Sequence, residues 1–504
     1  MSPAETAATT LATPLTKDDL LHDYRLAWES RHASLAGRKE VFMGKAKFGI
    51  FGDGKEVPQL AMARAFQNGD FRAGYYRDQT FMVAIGELTW QQYFAQLYAH
   101  TDVEAEPATA GRAMNGHFAT RLLDDDGNFL PQTDRKNSSA DISPTAGQMP
   151  RLLGLAYASK LYRQNPELHQ LKDFSVNGNE VAFGTIGNAS TSEGMFFEAL
   201  NAAGVLQVPM LMSVWDDHYG ISVPAEYQTT KQSISAILMG LQRESEGEQG
   251  FEIFVVRGWD YAALTDTYQK AAALCREQHV PVLIHVTEVT QPQGHSTSGS
   301  HERYKSRERL DWEEAHDCIH KLREWLLSEG HANEAELDSI EKDAAATIKT
   351  ARTAAWTAFF DPIKAEQAEA VALLDKLVAS LGAEHSLHEL VAQLKNNPTP
   401  IRADIVRTLR RVLRELRYET RSRGRRAVQQ HLEQLLAENA DRYNSTLFSQ
   451  SEWAVGNIEE VPAQYAADAP VVDGREVLQA CFEANFRRDP PSSPSARTWV
   501  KSAT

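Results

Sequence analysis

Apolar residues between about positions 180 and 290 alternate between short continuous runs and stripes with helical spacing. The runs have the length of buried strands, and the stripes recur at the three-to-four-residue spacing of one helix face. The predicted strands are 181–186, 210–215, 251–256 and 280–286, and the predicted helices are about 193–205 and 261–278. Strands that alternate with helices in this way form parallel sheets with right-handed crossovers. We therefore predict an α/β fold, a mainly parallel sheet flanked by helices.

Helical patterns also flank this central region on both sides. Before it, helices are predicted from Lys17 onward, over 58–68 and over 152–162; after it, they are predicted over 312–361 and 365–395. The chain therefore carries a helical C-terminal extension. The predicted division is a disordered N-terminus at 1–15, an α/β domain at 16–330, a helical extension with a basic helix at 331–440, a linker at 441–470, an amphipathic helix at 471–489 and an aberrant tail at 490–504.

Oxygen-bearing side chains stand directly after two of the predicted strands. Asn188, flanked by Gly187 and Ala189, follows the first strand, and Asp216 and Asp217 follow the second. The carboxyl ends of neighbouring parallel strands meet at one edge of the sheet, where ligands of such folds bind. Magnesium takes oxygen ligands and often keeps phosphate oxygens among them, and a helix N-terminus attracts anions. These residues predict a site for a divalent cation and a phosphorylated ligand.

The charge of the chain narrows the classes of partner. Among 504 residues, 52 lysines and arginines stand against 68 aspartates and glutamates, so the formal net charge is 52 − 68 = −16. This balance disfavours general binding to nucleic acid or to anionic membranes. No apolar run is long enough to span a bilayer. The first 20 residues fit neither a secretory signal nor a transit peptide, so a cytoplasmic location is expected.

Two local features add to this picture. Ten arginines between 402 and 426, interleaved with apolar residues at helical spacing, predict one amphipathic basic helix. We expect it to dock against an acidic part of an assembly, with nucleic acid as the alternative. Cys275, Cys318 and Cys481 match no disulfide or metal-binding spacing, and we interpret them as buried or half-buried thiols.

The central stretch resembles the thiamin-diphosphate motif of the 2-oxo acid dehydrogenases, in the alpha subunit of the decarboxylating component. That family has Gly-Asp-Gly or Gly-Asp-Ala where this chain has Gly187-Asn188-Ala189, and it has Asn where, 217 − 188 = 29 positions later, this chain has Asp217. The carboxylate and the amide are exchanged, so the charge offered to a cation is unchanged. The resemblance implies a thiamin-diphosphate-binding fold, with thiamin diphosphate and Mg²⁺ as cofactors. It implies Asn188, Asp217 and the Tyr219 carbonyl as metal ligands, with Gly187 and Ala189 beside the cofactor.

A second Gly-Asp-Gly sequence, at 52–54, matches the family tripeptide more closely. Counting 29 positions on from its aspartate leads to Met82, whose thioether cannot replace an oxygen ligand of magnesium. We therefore interpret 52–54 as a turn.

Two segments before the central stretch also resemble this family. The segment 74–78 (Gly-Tyr-Tyr-Arg-Asp) implies that Tyr76 lines the site and that Arg77 holds the cofactor diphosphate; the alternative is a polar turn before a buried helix. A guanidinium suits this task because its paired donors match phosphate oxygens. The segment 111–118 resembles a substrate-side segment of the family, which implies a catalytic role for His117, against the alternative of a structural histidine.

Two loops extend the resemblance. The segment 141–150 resembles the loop around the cofactor rings, which implies cofactor contacts for Ser143 and Thr145; the alternative is a plain turn before a helix. The segment 293–300 resembles a Gly-His-His-Ser-Thr-Ser loop found particularly in branched-chain 2-oxo acid dehydrogenases. It implies that His295 reaches the cofactor diphosphate and takes part in catalysis, and its alternative is a flexible surface loop.

The resemblance implies decarboxylation of a 2-oxo acid, with transfer of the acyl group to a lipoyl domain. A branched-chain substrate is expected, and pyruvate is the near alternative. A non-catalytic scaffold and a transketolase-like enzyme are the alternatives from other classes. The implied partners are a beta subunit that completes the active site, the lipoyl domain of the acyltransferase component and further copies in an oligomer, without nucleic acid or membrane.

The end of the sequence resembles the start of a second subunit. The helix at 471–489 is similar to the first helix of the beta subunit, which several bacterial relatives carry in one chain with alpha. Codons compatible with 491–504 can be read two nucleotides on as a sequence that resembles the Gly-Glu-Asp-Val-Gly segment of beta. We therefore expect the alpha half of a fusion that a frameshift truncates early in its beta part. Such a chain is expected to be inactive without beta.

Overall fold

A computed structural model of the protein describes residues 15–381, 385–419, 421–445, 452 and 454–488. Its strands are β1 (Phe71–Ala73), β2 (Asn137–Ser138), β3 (Ala182–Gly187), β4 (Met210–Trp215), β5 (Tyr219–Gly220), β6 (Val223–Pro224), β7 (Glu252–Arg257) and β8 (Val282–Thr287). Its helices are α1 (Lys17–Phe42), α2 (Glu56–Ala65), α3 (Gln79–Ala84), α4 (Trp90–Leu97), α5 (Gln148–Gln164), α6 (Gly194–Leu206), α7 (Ile234–Leu238), α8 (Tyr261–Gln278), α9 (Arg307–Ala315), α10 (Cys318–Ser328), α11 (Glu334–Val378), α12 (Leu387–Lys395), α13 (Arg402–Glu415), α14 (Arg423–Asn444) and α15 (Gly474–Arg488). The predicted disordered segment 1–15, except for Leu15, and the predicted tail 490–504 lie outside the described residues.

Six strands form one parallel sheet in the order β2-β1-β3-β4-β8-β7, and β5 pairs with β6 in a separate antiparallel hairpin. The prediction of an α/β fold with a mainly parallel sheet is confirmed. β3 and β4 pair along their whole length, with Ala182 opposite Met210 and Gly187 opposite Trp215. Because the strands are parallel, their carboxyl ends lie at one edge of the sheet.

The sheet is buried on both faces because its central strands alternate their side chains between two apolar cores. Phe183, Leu211 and Trp215 belong to the core that includes residues of α1, α2 and α8. Met210 and Met212, the chain neighbours of Leu211, belong to the core that includes residues of α5 and α6. A strand buried on both faces needs a continuous apolar run, which is why β4 was recognisable in the sequence.

The C-terminal helices have a core of their own, and one long helix joins it to the α/β part. α11 has 45 residues. Its first half packs on the α/β part through Ile340 and Ile348. Its second half carries Leu374 into a core shared with Leu409 of α13 and Val428 of α14. The division at residue 330 stays a prediction, and the two parts share α11 across it.

The expectation of one basic helix over 402–426 is wrong. α13 ends at Glu415 and a new helix, α14, begins at Arg423. Ser422 caps this new helix by accepting a hydrogen bond from the backbone N–H of Arg425 at 3.2 Å. The apolar faces of both helices enter the C-terminal core. Packing therefore overrides the continuous helical pattern of the sequence.

The last described helix stands apart from these cores. No residue of α15 is buried, and Cys481 on it is exposed, so the interpretation of a buried or half-buried thiol is wrong there. Cys275 and Cys318 are buried. The predicted linker at 441–470 overlaps the end of α14 at Asn444. No helix within the described ranges is long and apolar enough to cross a membrane.

Candidate functional site

An open cleft of about 430 Å³ lies at the carboxyl ends of β3 and β4, the place where parallel sheets bind their ligands. Residues from six separate segments of the chain line it. Among them are nine that the sequence had singled out: Tyr76, Arg77, Thr145, Gly187, Asn188, Ala189, Asp217, Tyr219 and His295. The fold therefore brings these predicted residues to one place, while their individual roles stay predictions.

At the end of β3 the backbone leaves the sheet at Gly187 and forms a short 3₁₀ turn before α6. The Thr191 hydroxyl holds this turn by donating to the Asn188 carbonyl at 2.6 Å. A Cβ at position 187 would meet only the Tyr75 side chain, its hydroxyl oxygen at 3.6 Å and a ring carbon at 3.7 Å, which are ordinary contacts. The packing of the protein itself does not require glycine here. The room left by the missing side chain belongs to the cleft.

At the end of β4 two neighbouring aspartates have different surroundings. Asp216 is buried: its Oδ2 accepts a hydrogen bond from His285 Nε2 at 2.9 Å, and its Oδ1 accepts one from the His218 N–H at 2.8 Å. Burial acts to raise the pKa of Asp216, but the hydrogen bond from His285 and the neighbouring donors lower it overall. Asp217 lines the cleft, and its Oδ1 accepts from the Tyr219 N–H at 3.1 Å. Asp216 therefore stabilises the turn after β4, whereas Asp217 lines the cleft, where it can contact a ligand.

Side chains in and before α9 support this turn from outside. Arg309 Nη2 donates to the Asp217 carbonyl at 3.0 Å, and its guanidinium carbon lies 5.6 Å from the centre of the Tyr219 ring. Lys305 lies 5.2 Å from the centre of the same ring and donates to both carboxylate oxygens of Glu313, at 2.7 and 2.9 Å. These contacts fix the backbone between Asp217 and Tyr219.

Arg77 and His295 form a joined pair in the wall of the cleft. Arg77 Nη1 donates to the Phe51 carbonyl at 2.5 Å, and its Nη2 donates to both Nδ1 and the carbonyl of His295 at 3.1 Å. Because a guanidinium only donates, Nδ1 is the acceptor, and the neutral ring carries its hydrogen on Nε2. Burial, and then the charge of Arg77, lower the pKa of His295 to about 4, so the ring is neutral near pH 7. Its Nε2–H has no hydrogen-bond partner among the described residues.

The loop that carries His295 is anchored rather than free. Arg38 Nη1 donates to two carbonyls of this loop, at 2.9 and 3.2 Å. Thr297 and Gly49 are joined by two hydrogen bonds, since the Thr297 N–H donates to the Gly49 carbonyl at 2.9 Å and the Gly49 N–H donates to the Thr297 hydroxyl at 3.0 Å. The alternative of a flexible surface loop does not describe this part of the loop.

His117 and Ser143 do not line the cleft but bind each other. His117 is buried and Ser143 is exposed. His117 Nδ1 lies 3.0 Å from the Met114 carbonyl, so it must donate there, and its Nε2 then accepts from the Ser143 hydroxyl at 2.9 Å. The two residues therefore form one unit, separate from the nine residues of the cleft.

A buried arginine joins two of the site's segments. Arg72 on β1 is fully buried. Its Nε donates to Asp78 at 2.8 Å, and its two other nitrogens donate to the carboxylate of Asp141 at 3.1 and 3.0 Å. Asp78 directly follows Arg77, and Asp141 precedes Ser143 by two positions. Arg72 therefore fixes the segment of Arg77 relative to the segment of Ser143.

Sequence reasoning missed Lys55, which also lines the cleft. Its Nζ donates to the Thr290 carbonyl at 3.1 Å and to Gln291 Oε1 at 2.6 Å, and it lies 3.9 Å from Asp217 Oδ2. Burial lowers the pKa of Lys55 to about 8, against the opposing effect of Asp217. The sequence 52–54 is a turn, as interpreted. In the sequence, the available signal for this residue is a lysine directly after the turn, and the interpretation of 52–54 as a turn does not extend to it.

The predicted metal ligands are all oxygen donors. The described part of the chain holds no group of three or more His, Cys, Asp or Glu side chains suited to a metal ion. The predicted set instead combines the Asp217 carboxylate, the Asn188 amide and the Tyr219 carbonyl, which line one cleft. Such donors suit a hard cation that keeps phosphate oxygens and water among its ligands. The residues present thus fit a magnesium–diphosphate group.

The chain is similar in sequence to a family of known proteins. Residues 30–362 match the family model described as "Dehydrogenase E1 component". The chain is 25% identical over 288 residues to the 2-oxoisovalerate dehydrogenase subunit alpha of Bacillus subtilis, covering 57% of this chain and 75% of that one. It is 26% identical over 315 residues to the mitochondrial 2-oxoisovalerate dehydrogenase subunit alpha of Dictyostelium discoideum, covering 62% of this chain and 60% of that one. It is also 26% identical over 205 residues to the pyruvate dehydrogenase E1 component subunit alpha of Rickettsia bellii, covering 40% of this chain and 55% of that one.

Proposed function

Since the chain belongs to the dehydrogenase E1 component family, we propose that it is the alpha part of a thiamin-diphosphate-dependent 2-oxo acid dehydrogenase. The observation that carries the proposal is the cleft, which gathers nine residues from five segments at the end of the sheet. The proposed reaction is oxidative decarboxylation of a 2-oxo acid with transfer of the acyl group to a lipoyl domain. Thiamin diphosphate, when bound, supplies the carbon that adds to the 2-oxo acid and the electron sink for decarboxylation.

The residues at the strand ends would hold the magnesium ion. The donors are the Asn188 amide oxygen, the Asp217 carboxylate and the Tyr219 carbonyl, and the remaining places are left for diphosphate oxygens and water. Arg309 donates to the Asp217 carbonyl, so the backbone that carries two of the donors is already fixed. Gly187 leaves open space on this side of the cleft, which a diphosphate would use.

The opposite wall would bind the diphosphate. Arg77 brings a permanent positive charge, and its position is set by hydrogen bonds to Phe51 and His295. His295 is neutral near pH 7 and offers its Nε2–H, a donor that no described residue uses. A neutral donor and a charged guanidinium side by side suit an anion that must bind and also be released. Tyr76 and Thr145 line the same cleft.

His117 is proposed to act on the substrate side. Because its Nδ1 donates to the Met114 carbonyl, its Nε2 is fixed as the acceptor. The Ser143 hydroxyl that donates to this nitrogen is exposed. A proton arriving at the Ser143 hydroxyl can therefore pass to His117 Nε2 without movement of the ring.

The substrate is proposed to be a branched-chain 2-oxo acid, with pyruvate as the second candidate. The loop sequence Gly294-His295-Ser296-Thr297-Ser298 supports the first. The relatives carry both names, 2-oxoisovalerate dehydrogenase and pyruvate dehydrogenase, at similar identity. A beta subunit and the lipoyl domain of an acyltransferase are the proposed partners, and the chain without beta is expected to be inactive.

The first experiment measures binding of thiamin diphosphate by calorimetry, with and without Mg²⁺, in the presence of a beta subunit of this family. Asp217→Ala should abolish the Mg²⁺-dependent part of the binding. Asp343→Ala, on the exposed side of α11, removes the same charge away from the cleft and should bind as the native chain does.

The second experiment measures acyl transfer to a lipoyl domain from 3-methyl-2-oxobutanoate and from pyruvate. Faster transfer from the branched-chain acid supports the proposal, and faster transfer from pyruvate replaces the substrate. Absence of Mg²⁺-dependent cofactor binding even with beta would favour the non-catalytic scaffold. Turnover of ketose phosphates without a lipoyl acceptor would favour the transketolase-like alternative.

A further inference from the structure

We infer that Lys55 is a cation built into the cleft, so that the site binds a diphosphate without requiring Mg²⁺. The inference rests on the proposed function, because it concerns the same cleft and the same anionic group. It goes further by giving a role to a residue that neither the strand-end motif nor the family resemblance assigns.

The ammonium of Lys55 has one donor left for a ligand. An ammonium carries three N–H donors, and Lys55 uses two of them, on the Thr290 carbonyl and on Gln291 Oε1. Among the residues that the structure describes, the closest carboxylate oxygen is Asp217 Oδ2, at 3.9 Å, which is beyond hydrogen-bond distance. Only 2% of Lys55 is exposed, so bulk water is a poor partner for the third donor. Because Lys55 lines the cleft, a bound anion can take that donor.

Lys55 also changes the charge that a diphosphate meets. The ionised side chains that line the cleft are Lys55, Arg77 and Asp217, and their formal sum is 2 − 1 = +1. Without Lys55 the sum is zero, and Arg77 is then the one ionised cation among the described lining residues to offset Asp217 and attract a diphosphate. The neutral ring of His295 adds a donor but no charge. A buried cation is effective here because the low-dielectric surroundings screen it weakly.

Lys55 also gives a physical reason why position 217 carries an aspartate. The 2-oxo acid dehydrogenases that the chain resembles have Asn there, and an amide needs no counter-ion. In this chain the carboxylate of Asp217 has the ammonium of Lys55 at 3.9 Å. The carboxylate therefore stands next to a positive charge of the protein before any metal binds. The pair also keeps Lys55 from being a buried charge without a partner.

The test is calorimetric titration of the full chain with inorganic pyrophosphate, once in EDTA and once in Mg²⁺. The native chain should bind in both conditions. Lys55→Met should weaken binding in EDTA by about tenfold or more, the usual effect of a lost charge-assisted hydrogen bond, and should weaken it less in Mg²⁺. Lys47→Met removes the same charge from an exposed position and should match the native chain in both conditions.

Folding of the variants is checked by circular dichroism. If Lys55→Met does not fold, Lys55→Met with Asp217→Asn removes both members of the pair and leaves no buried unpaired charge. Because Arg77 then keeps the formal charge of the cleft at +1, this variant isolates the donor of Lys55, and loss of that donor should still weaken binding in EDTA by about tenfold. The inference is overturned if the native chain binds pyrophosphate only in Mg²⁺, or if loss of Lys55 leaves the EDTA affinity unchanged. The proposed function survives either of those results; it fails separately if Mg²⁺ does not strengthen the binding of thiamin diphosphate in the presence of beta.

Discussion

Replacing Arg72 by methionine should loosen the segments that carry Arg77 and Ser143. Arg72 is fully buried and holds two carboxylates, Asp78 and Asp141. Methionine fills much of the same space but leaves both carboxylates without their cation. Removing one partner of a buried ion pair typically costs about 3–5 kcal/mol, because the charge left behind has lost its compensation. We expect a cost in this range for Arg72→Met.

Asp141→Asn is the matched variant, and it should cost less. Arg72 then keeps Asp78, a serine hydroxyl and a backbone carbonyl as partners, and the amide of position 141 can still accept one hydrogen bond. A cost of about 1–2 kcal/mol is expected for the hydrogen bond that is lost or weakened. The order of the two variants, more than either value, tests whether Arg72 is the centre of the group.

Hydrogen–deuterium exchange read by peptide is the suitable assay, because the C-terminal core could open separately from the sheet. Peptides that cover β1 and residues 137–149 should exchange about 100-fold faster or more in Arg72→Met, since each 1.4 kcal/mol is a factor of ten. Peptides from α13 should not change. The cost should also be smaller at low pH: burial already acts to raise the pKa of Asp141, and without Arg72 its protonation relieves the unpaired charge. Exchange within threefold of the native rate near pH 7 would refute the reasoning.

Two further predictions concern other parts of the molecule. Burial lowers the pKa of His279 to about 4; since the unfolded chain then binds more protons between pH 4 and 6.5, stability should rise with pH across that window, by about 2–3 kcal/mol. His279→Gln should flatten that part of the unfolding profile measured by circular dichroism, and an unchanged profile would show that another group is responsible. Leu409→Ala should cost about 2–5 kcal/mol in the C-terminal core, where Leu409 is fully buried, and should speed exchange in α13 and α14. Ile401→Ala, at a position 53% exposed, is the control and should leave that exchange unchanged.

Local pattern was enough to predict four of the six strands of the sheet, β3, β4, β7 and β8, but not the short strands β1 and β2. The apolar run of β4 and the stripe of α8 have the bounds that their spacing predicted, because a strand buried on both faces and an amphipathic helix each leave a periodic signal. The break between α13 and α14 left no such signal. The helical spacing continues through Leu416, and the break accompanies the packing of both helices into one core and the Ser422 cap of α14, neither of which the apolar spacing contains. Long-range packing is what a single-sequence pattern does not contain.

The site was predictable where residues follow strand ends and unpredictable where contacts cross the chain. Parallel pairing of β3 and β4 places Asn188 and Asp217 at one edge whatever the loops do. Which of the two aspartates faces the cleft depends on His285, whose hydrogen bond holds Asp216 in the interior. Lys55 reaches the cleft through contacts with residues more than 230 positions away. Local sequence therefore predicts neither which aspartate faces the cleft nor that Lys55 reaches it.

Which of the predicted metal ligands carries the single carboxylate therefore depends on the charges of the neighbouring residues. At the end of β4 it lies beside Lys55, whereas the amide at the end of β3 carries no charge to balance. Exchanging the two side chains, Asn188→Asp with Asp217→Asn, would keep the number of charges but leave Lys55 without its neighbouring carboxylate. If only the types of metal ligand mattered, this exchange would leave the stability of the protein unchanged. Because the exchange moves the carboxylate away from Lys55, we expect it to lower the free energy of unfolding of the native chain. In a chain that carries Lys55→Met the exchange should have no such cost, since no buried ammonium then loses its partner.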